Sequence, residues 1–540
     1  MIKIKTRYFF VIYFLITLVL YYVTIGAGMV FDFNGWAMTY ENGSFSDVLN
    51  CFGYPGLHQM EQLVFFSLYK LFGFNKFAWY IVFVFLHSLT AIISFKFIEL
   101  FLKTILVENY YQIAILASFL FLISPMAADT VVNKVTIHYF MSTMFMVSAL
   151  FFEVKYINTK KITFLTISFL LFVLALFSLE IAYVFPIIFT LVWVLILFFQ
   201  KQLTFNILLN YKIYIPFIIL IAFLVLHRVV VGSFIGHYGA EVHTKFDLSE
   251  IVSNIIRYFS SYFLMFDYWP YKFKEFASIK LLKFGLVLFV FILIAFIGLY
   301  FLFNKKYKKK LLVFLLFLVF GILALAPISN LYLAYMFPIE NDRYAYFSSI
   351  FIYVSIVFFI YNIKIKLFRS AILLIFIPLN LYLLVNNIEI FSKSSKLTWS
   401  LIEDFRWFEK EVIILNDPDM LNGAKMFTTI GETTSFSESL FLYSGIDRRP
   451  NIKLVYQMNY NELTDSVIVT RINDYKYKVE LAQWGNWFWK SNRGASSFEN
   501  EFSKVIVNKE GRNYYIIELK EKFKTATLIY AAGDKWVEVD

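Results

Sequence analysis

The chain has 540 residues, 60% of them hydrophobic and 21% aromatic, with a formal net charge of +11. A soluble domain of that composition would precipitate, so an ordinary soluble globular class is excluded. The positive charge does not point to nucleic acid, because the lysines sit in short loops between long apolar runs rather than on one polar face. A single cysteine, Cys51, excludes an internal disulfide and any cysteine-built metal site, and suits a small apolar filler.

Lys3, Lys5 and Arg7 precede an apolar stretch longer than a signal-peptide core, with no clean small-residue cleavage site, which reads as a retained first span. Walking from one basic cluster to the next, and keeping those clusters on one side, gives about eleven transmembrane helices. They are Tyr8–Ile25, Phe77–Leu102, Tyr111–Ile123, Ile137–Tyr156, Ile162–Phe177, Ile181–Phe199, Ile213–Val231, Leu281–Phe303, Leu311–Ala326, Tyr346–Tyr361 and Ser370–Leu384. The amino terminus is then cytoplasmic and the tail extracytoplasmic. Two outer loops, 27–76 and 232–280, are long. Within the second, Ile251–Met265 is expected to lie in the interface, since another crossing would put Lys305–Lys310 on the wrong side.

The fold class expected is therefore a mainly α-helical polytopic membrane domain, residues 1–390, followed by a small extracytoplasmic α+β domain, residues 391–540. In the tail, Ser400–Lys410 reads as a helix. Glu411–Leu415, Ile452–Tyr456, Ser466–Val479, Lys504–Val507 and Tyr514–Leu519 read as strands, with a hairpin turn at Glu510-Gly511-Arg512. Trp484, Trp487 and Trp489 suit either packing in a β-rich domain or stacking on sugar rings. The abundance of Phe, Ile, Lys, Asn and Tyr suggests an AT-rich genome and hence a bacterial plasma (inner) membrane.

This topology puts the notable polar residues on one side: Asp32, His58, Glu61, Asp129, His138, Glu180, His237, Asp267, Asp342 and Arg343. Ionisable groups at membrane depth are costly and line cavities or pathways, so a one-sided set suggests a site open to the outer surface. His58 and Glu61, three apart, share a face if helical, and a surface pair is the plainer reading. His87 and His138 read as helix-packing residues, and the six scattered histidines offer no close pair for zinc.

The order of pieces resembles the GT-C class of integral-membrane glycosyltransferases, specifically bacterial relatives of the protein O-mannosyltransferases. The resemblance rests on Phe31-Asp32-Phe33-Asn34-Gly35-Trp36 after the first span and on Leu71-Phe72-Gly73-Phe74-Asn75-Lys76-Phe77 with Leu86-His87 in the second. It continues with Ser124-Pro125-Met126-Ala127-Ala128-Asp129-Thr130-Val131, Ser178-Leu179-Glu180 and Asn341-Asp342-Arg343-Tyr344. It implies transfer of a sugar from a polyprenyl-phosphate donor to a lipid, glycan or protein acceptor on the outer face, usually with inversion. Asp32 is the expected general base, Asp129 the residue for the acceptor or a metal, and Arg343 with Arg228 the donor-phosphate ligands. His58, Glu61, Glu180 and Asp342 are expected to line the pocket.

A divalent cation, Mg or Mn, is left open, because the family often has two adjacent acidic residues in the first loop, whereas Phe33 and Asn34 follow Asp32 here. No P-loop or Rossmann glycine pattern supports a nucleotide-sugar donor, and no helical repeat appears in the tail. Two rivals share the topology. A polysaccharide polymerase or ligase would use an arginine and histidine system in a large outer loop. A lipid or polysaccharide transporter would show paired repeats and no covalent change.

Overall fold

The computed structural model describes residues 6–29, 32–41, 43–50, 56–203, 210–234, 248–265, 268–269, 308–329, 339, 342–405, 411–427, 435–445, 447, 449–482, 486–490 and 493–539. The expected span Leu281–Phe303, and His237, Asp267 and Trp484, lie outside the described residues.

In hydrocarbon every backbone N–H and C=O must find its partner within the segment, so the apolar runs fold as helices. In chain order these are α1 (Thr6–Leu20), α2 (Asp32–Glu41), α3 (Phe45–Asn50), α4 (Gln59–Phe72), α5 (Lys76–Thr104), α6 (Tyr110–Leu122), α7 (Ala128–Val132) and α8 (Ile137–Thr159). Then come α9 (Ile162–Leu176), α10 (Phe185–Phe199), α11 (Ile215–Val231), α12 (Leu248–Leu264), α13 (Lys308–Leu325), α14 (Tyr346–Asn362) and α15 (Lys366–Asp404), with α16 (Ser435–Ser444) inside the tail.

Seven helices are long and apolar enough to cross a membrane, or eight if the pair Tyr110–Leu122 and Pro125–Val132, bent by 54°, counts as one span. The protein is an integral membrane protein, and the count of about eleven spans is not reached among the described residues. Among the described residues the apolar helices α1 and α9 have 15 residues each, shorter than the seven crossing candidates. The bend has a local cause: Pro125 cannot donate a backbone hydrogen bond, and Ser124 turns its hydroxyl to accept from Met126 N at 3.2 Å. The chain then restarts as α7, which carries Asp129.

The bundle has two unlike ends. At one, Asn158 donates to Thr104 Oγ1 at 2.7 Å and Lys212 Nζ donates to the Tyr156 hydroxyl at 2.8 Å. Lys309 Nζ donates to Leu106 O at 3.2 Å and lies 5.2 Å from the Phe199 ring. The lysine-bearing loops therefore meet in space, as a charge bias toward one face requires. The other end receives the N-termini of α4, α8 and α14 and the turn of Glu180–Val184 before α10. Helix α12 is not among the crossing helices. Its polar face is buried, Asn254 donating to Ser329 O at 2.8 Å and Tyr262 to Ala345 O at 2.8 Å.

The expected last span, Ser370–Leu384, is only the start of a 39-residue helix that runs unbroken past residue 390 to Asp404. It joins two hydrophobic clusters, one gathered on the bundle and one beginning at Leu397. The second holds three sheets, ordered β14-β13-β1-β4, β10-β11-β12-β7-β6 and β3-β2-β5-β8-β9. Their strands are β1 (Val412–Ile414), β2 (Asp417–Leu421), β3 (Ala424–Lys425), β4 (Ile452–Leu454), β5 (Gln457–Tyr460), β6 (Val467–Asn473) and β7 (Lys476–Leu481). They continue as β8 (Phe488–Lys490), β9 (Arg493–Gly494), β10 (Phe498–Glu499), β11 (Ser503–Val507), β12 (Tyr514–Leu519), β13 (Thr527–Ala532) and β14 (Lys535–Glu538). The Glu510-Gly511-Arg512 turn joins β11 and β12 as expected, and Ser466–Val479 divides into the hairpin β6–β7. Trp487 and Trp489, their ring centroids 5.9 Å apart, belong to β8 and the residues leading into it.

The β-rich unit rests on the end of the bundle that lacks the lysine loops. Asn34 donates to Ser439 Oγ at 2.7 Å, the Tyr443 hydroxyl donates to Met29 O at 3.0 Å, and Lys76 Nζ sits 3.5 Å from the centroid of the Trp399 ring. At this end one glycine lets the segment after α1 approach the residues after α7 closely. Gly28 has φ +72°, and a Cβ there would meet Val132 O at 2.2 Å, where Lys134 N donates to Gly28 O at 3.2 Å. Gly28→Ala is expected to destabilise the protein by more than about 1 kcal/mol, seen as a lower melting temperature in detergent.

Candidate functional site

Four separate segments converge at this end. Asp129 is set on α7 by the Ser124–Pro125 bend, and Arg343 by the 3-10 turn of Asp342–Ala345 that opens α14. Although 214 residues apart in sequence, they meet: Arg343 donates from Nη1 to Asp129 Oδ2 at 3.2 Å. The Asp129 side chain is only 6% exposed and the Arg343 side chain 24%, so the arginine is the more open member of the pair.

The second group is built from α4, α8 and the turn before α10. Met60 N donates to Phe177 O at 3.0 Å, which ties the first turn of α4 to the end of α9 and brings Glu61 toward Glu180. His58 Nε2 lies 3.1 Å from Glu180 Oε1, His58 Nδ1 3.8 Å from Glu61 Oε2, and His138 Nδ1 2.6 Å from Glu61 Oε1. His58 and Glu61 are buried, so they are not the surface pair that their spacing suggested, and His138 is more than a packing residue. An aromatic link joins the two groups. The Arg343 guanidinium sits 5.2 Å from the centroid of Tyr344, whose ring centroid is 5.9 Å from that of Tyr139, itself 4.6 Å from that of His138.

His58 precedes the first turn of α4, outside the crossing helices. Burial alone would push its imidazolium down, but the Glu180 carboxylate, by charge and hydrogen bonding, and then Glu61 outweigh this and raise it from 6.5 to about 9. A histidine raised on folding gives stability that is whole below pH 6.5 and is lost as pH climbs through 9. The melting temperature is expected to fall across that window, and the fall to be smaller in His58→Gln, as followed by tryptophan fluorescence.

Lys134, missed in the sequence reading, is buried at the foot of α8. Its Nζ lies 3.4 Å from Val131 O, which it contacts as donor, and 4.8 Å from the centroid of the Phe83 ring. A signal for it existed. By the charge bias it is a lysine on the wrong side of the membrane, inside the polar run Asn133-Lys134-Val135-Thr136. Asp32 is the first residue of α2, partly exposed, on a helix that packs against the Lys134–Thr136 turn. Asp342 is buried next to Arg343. Arg228 is engaged elsewhere: its guanidinium donates to Gly232 O at the end of its own helix and sits 5.6 Å from the centroid of the Phe234 ring. His87 is a buried packing residue, with Nδ1 2.8 Å from the Tyr346 hydroxyl and Nε2 3.0 Å from Leu122 O. Among the described residues no group of three or more His, Cys, Asp or Glu side chains is arranged to hold a metal ion. The Asp129 carboxylate is turned to the Arg343 guanidinium.

No family model matches the sequence, and no curated protein does. Among solved structures, the chain is similar to the Archaeoglobus fulgidus oligosaccharyltransferase tethered with an acceptor peptide, at 12% identity and TM-score 0.35, over 84% of this chain and 68% of that one. It is similar to the oligosaccharyltransferase AglB from Archaeoglobus fulgidus in complex with an inhibitory peptide and a dolichol-phosphate, at 11% and 0.35, over 89% and 75%. ArnT from Cupriavidus metallidurans in the apo state follows at 10% and 0.31, over 83% and 92%. These neighbours are membrane glycosyltransferases of the GT-C class. The scores are low, and what the site can do is read from its own residues.

Proposed function

We propose that the protein is a membrane glycosyltransferase that moves a sugar from a polyprenyl-phosphate carrier to a hydroxyl of a lipid, glycan or protein acceptor at the end of the bundle away from the lysine loops. The observation that carries this reading is the Asp129–Arg343 pair, linked through Tyr344 and Tyr139 to a set of carboxylates and imidazoles. Breaking a sugar–phosphate bond leaves the bonding electrons on phosphate oxygen. A guanidinium fork held in place before the reaction stabilises that charge without reorganising.

Asp129 orients the fork rather than reacting. Asp32 takes the proton of the acceptor hydroxyl as its oxygen bonds to the anomeric carbon and the carrier phosphate departs from the opposite face, inverting the centre. His58 and His138, each beside a glutamate, complete the polar group next to this pair.

The test is reconstitution of the purified chain in liposomes with labelled polyprenyl-phosphate sugars and a membrane-derived acceptor pool. The reading predicts released polyprenyl phosphate matched by label on the acceptor. Movement of intact carrier-linked sugar across the bilayer, with no cleavage, would make the protein a transporter instead.

A further inference from the structure

At the opposite end from the candidate site, a cavity of about 400 Å³ opens between the start of α6, the start of α13 and the end of α14. Its polar lining is dominated by Lys309, Lys310 and Lys364, with Glu108 as the single carboxylate among the described lining residues. Part of its wall is apolar, formed by side chains such as Val313 and Phe358 on the flanks of crossing helices. Lys309 is anchored by its bond to Leu106 O, which fixes one cation at the mouth. The surface at this level is also apolar where a soluble protein would be polar: Leu106 is 71% exposed and, just past Lys364, Leu367 is 81% and Phe368 56% exposed. Cations next to exposed greasy side chains are the arrangement that meets a phosphate headgroup and its acyl chains together.

We infer that this cavity is a binding site for the phosphate headgroup of an anionic membrane lipid, drawn from the leaflet that faces the lysine loops. Three lysines against one glutamate select a negative headgroup over a zwitterionic one, and the apolar wall selects a lipid over a water-soluble phosphate. The inference stands on the basic end of the bundle and is independent of what the other end catalyses.

The full chain, purified in phosphatidylcholine nanodiscs, is titrated with phosphatidylglycerol, with retained lipid counted by native mass spectrometry and the melting midpoint read in parallel. Phosphatidylglycerol should be retained in preference to phosphatidylcholine. Lys309→Gln and Lys364→Gln should each weaken the preference about fivefold. Glu108→Gln should strengthen it, and inorganic phosphate at matched concentration should leave the midpoint unmoved. Equal retention of the two lipids, or a preference that survives replacement of all three lysines, would overturn the inference. A midpoint shift by inorganic phosphate alone would replace the lipid site with a soluble-phosphate site. If the lysine variants do not fold, Glu108→Gln decides: a preference unchanged or weakened there overturns it.

Discussion

Arg343→Ala is expected to lower sugar transfer by about a hundred- to a thousandfold, the range seen when a preorganised donor to a developing anion is removed. The same substitution leaves Asp129, whose side chain is 6% exposed, without its 3.2 Å partner. Breaking one half of a buried pair costs about 3–5 kcal/mol, and the partial exposure of Arg343 moves this case to the lower end. The two effects separate in the double variant Arg343→Ala/Asp129→Asn. Removing the stranded carboxylate should recover most of the lost melting temperature while transfer stays absent. Arg343→Lys should keep the charge but lose the fork, and so recover only a fraction of the rate. If the double variant recovers transfer along with stability, Arg343 is a structural cation and not a phosphate ligand.

Asp32→Asn is expected to cut transfer by about a hundred- to ten-thousandfold, the usual contribution of a positioned general base. Its cost in stability should be small. Asp32 is partly exposed at the first turn of α2, where losing a negative charge beside the helix dipole removes less than about 1 kcal/mol. A loss of rate with donor binding and melting unchanged identifies the base. Undiminished transfer would reduce Asp32 to a helix-terminus residue and shift the base to another carboxylate of the site.

Much of the fold was legible because hydrocarbon allows few solutions. Phe77–Leu102, Ile137–Tyr156, Ile181–Phe199, Ile213–Val231, Leu311–Ala326 and Tyr346–Tyr361 each coincide with a helix able to cross. The misreadings also have physical reasons. Counting apolar runs makes crossings of α1 and α9, which have 15 residues each among those described and are not among the seven crossing candidates. Ser370–Leu384 looked terminal because polarity rises after it. Asn387, Ser394 and Thr398 are nonetheless buried along the same helix, which bridges two hydrophobic clusters instead of ending between them. Strands β2, β3, β5, β8, β9, β10, β13 and β14 were missed. Two of them, β2 and β5, are buried throughout and so lack the alternation that marks a half-exposed strand.

The site was legible as a list and not as an arrangement. Sequence order and charge bias put Asp129, Arg343, His58, Glu61 and Glu180 on one side. Nothing in their spacing says that Asp129 meets Arg343 or that His58 turns from its neighbour Glu61 toward Glu180. Those pairings come from tertiary contacts between helices more than a hundred residues apart. His138 was set aside because a lone histidine in an apolar helix is ordinarily a packing residue, which is what His87 is. The two differ only in what faces them.

The measurement that bears most directly on the whole account is the release of polyprenyl phosphate from a labelled donor by the purified chain, run beside Asp32→Asn and Arg343→Ala at matched folded concentration. The account predicts release and acceptor labelling in equal amounts by the native chain, and near-complete loss of both in each variant. Native-level release by either variant contradicts the role assigned to that residue. No release by the native chain from any donor, with intact carrier moved across the membrane, contradicts the transferase reading itself.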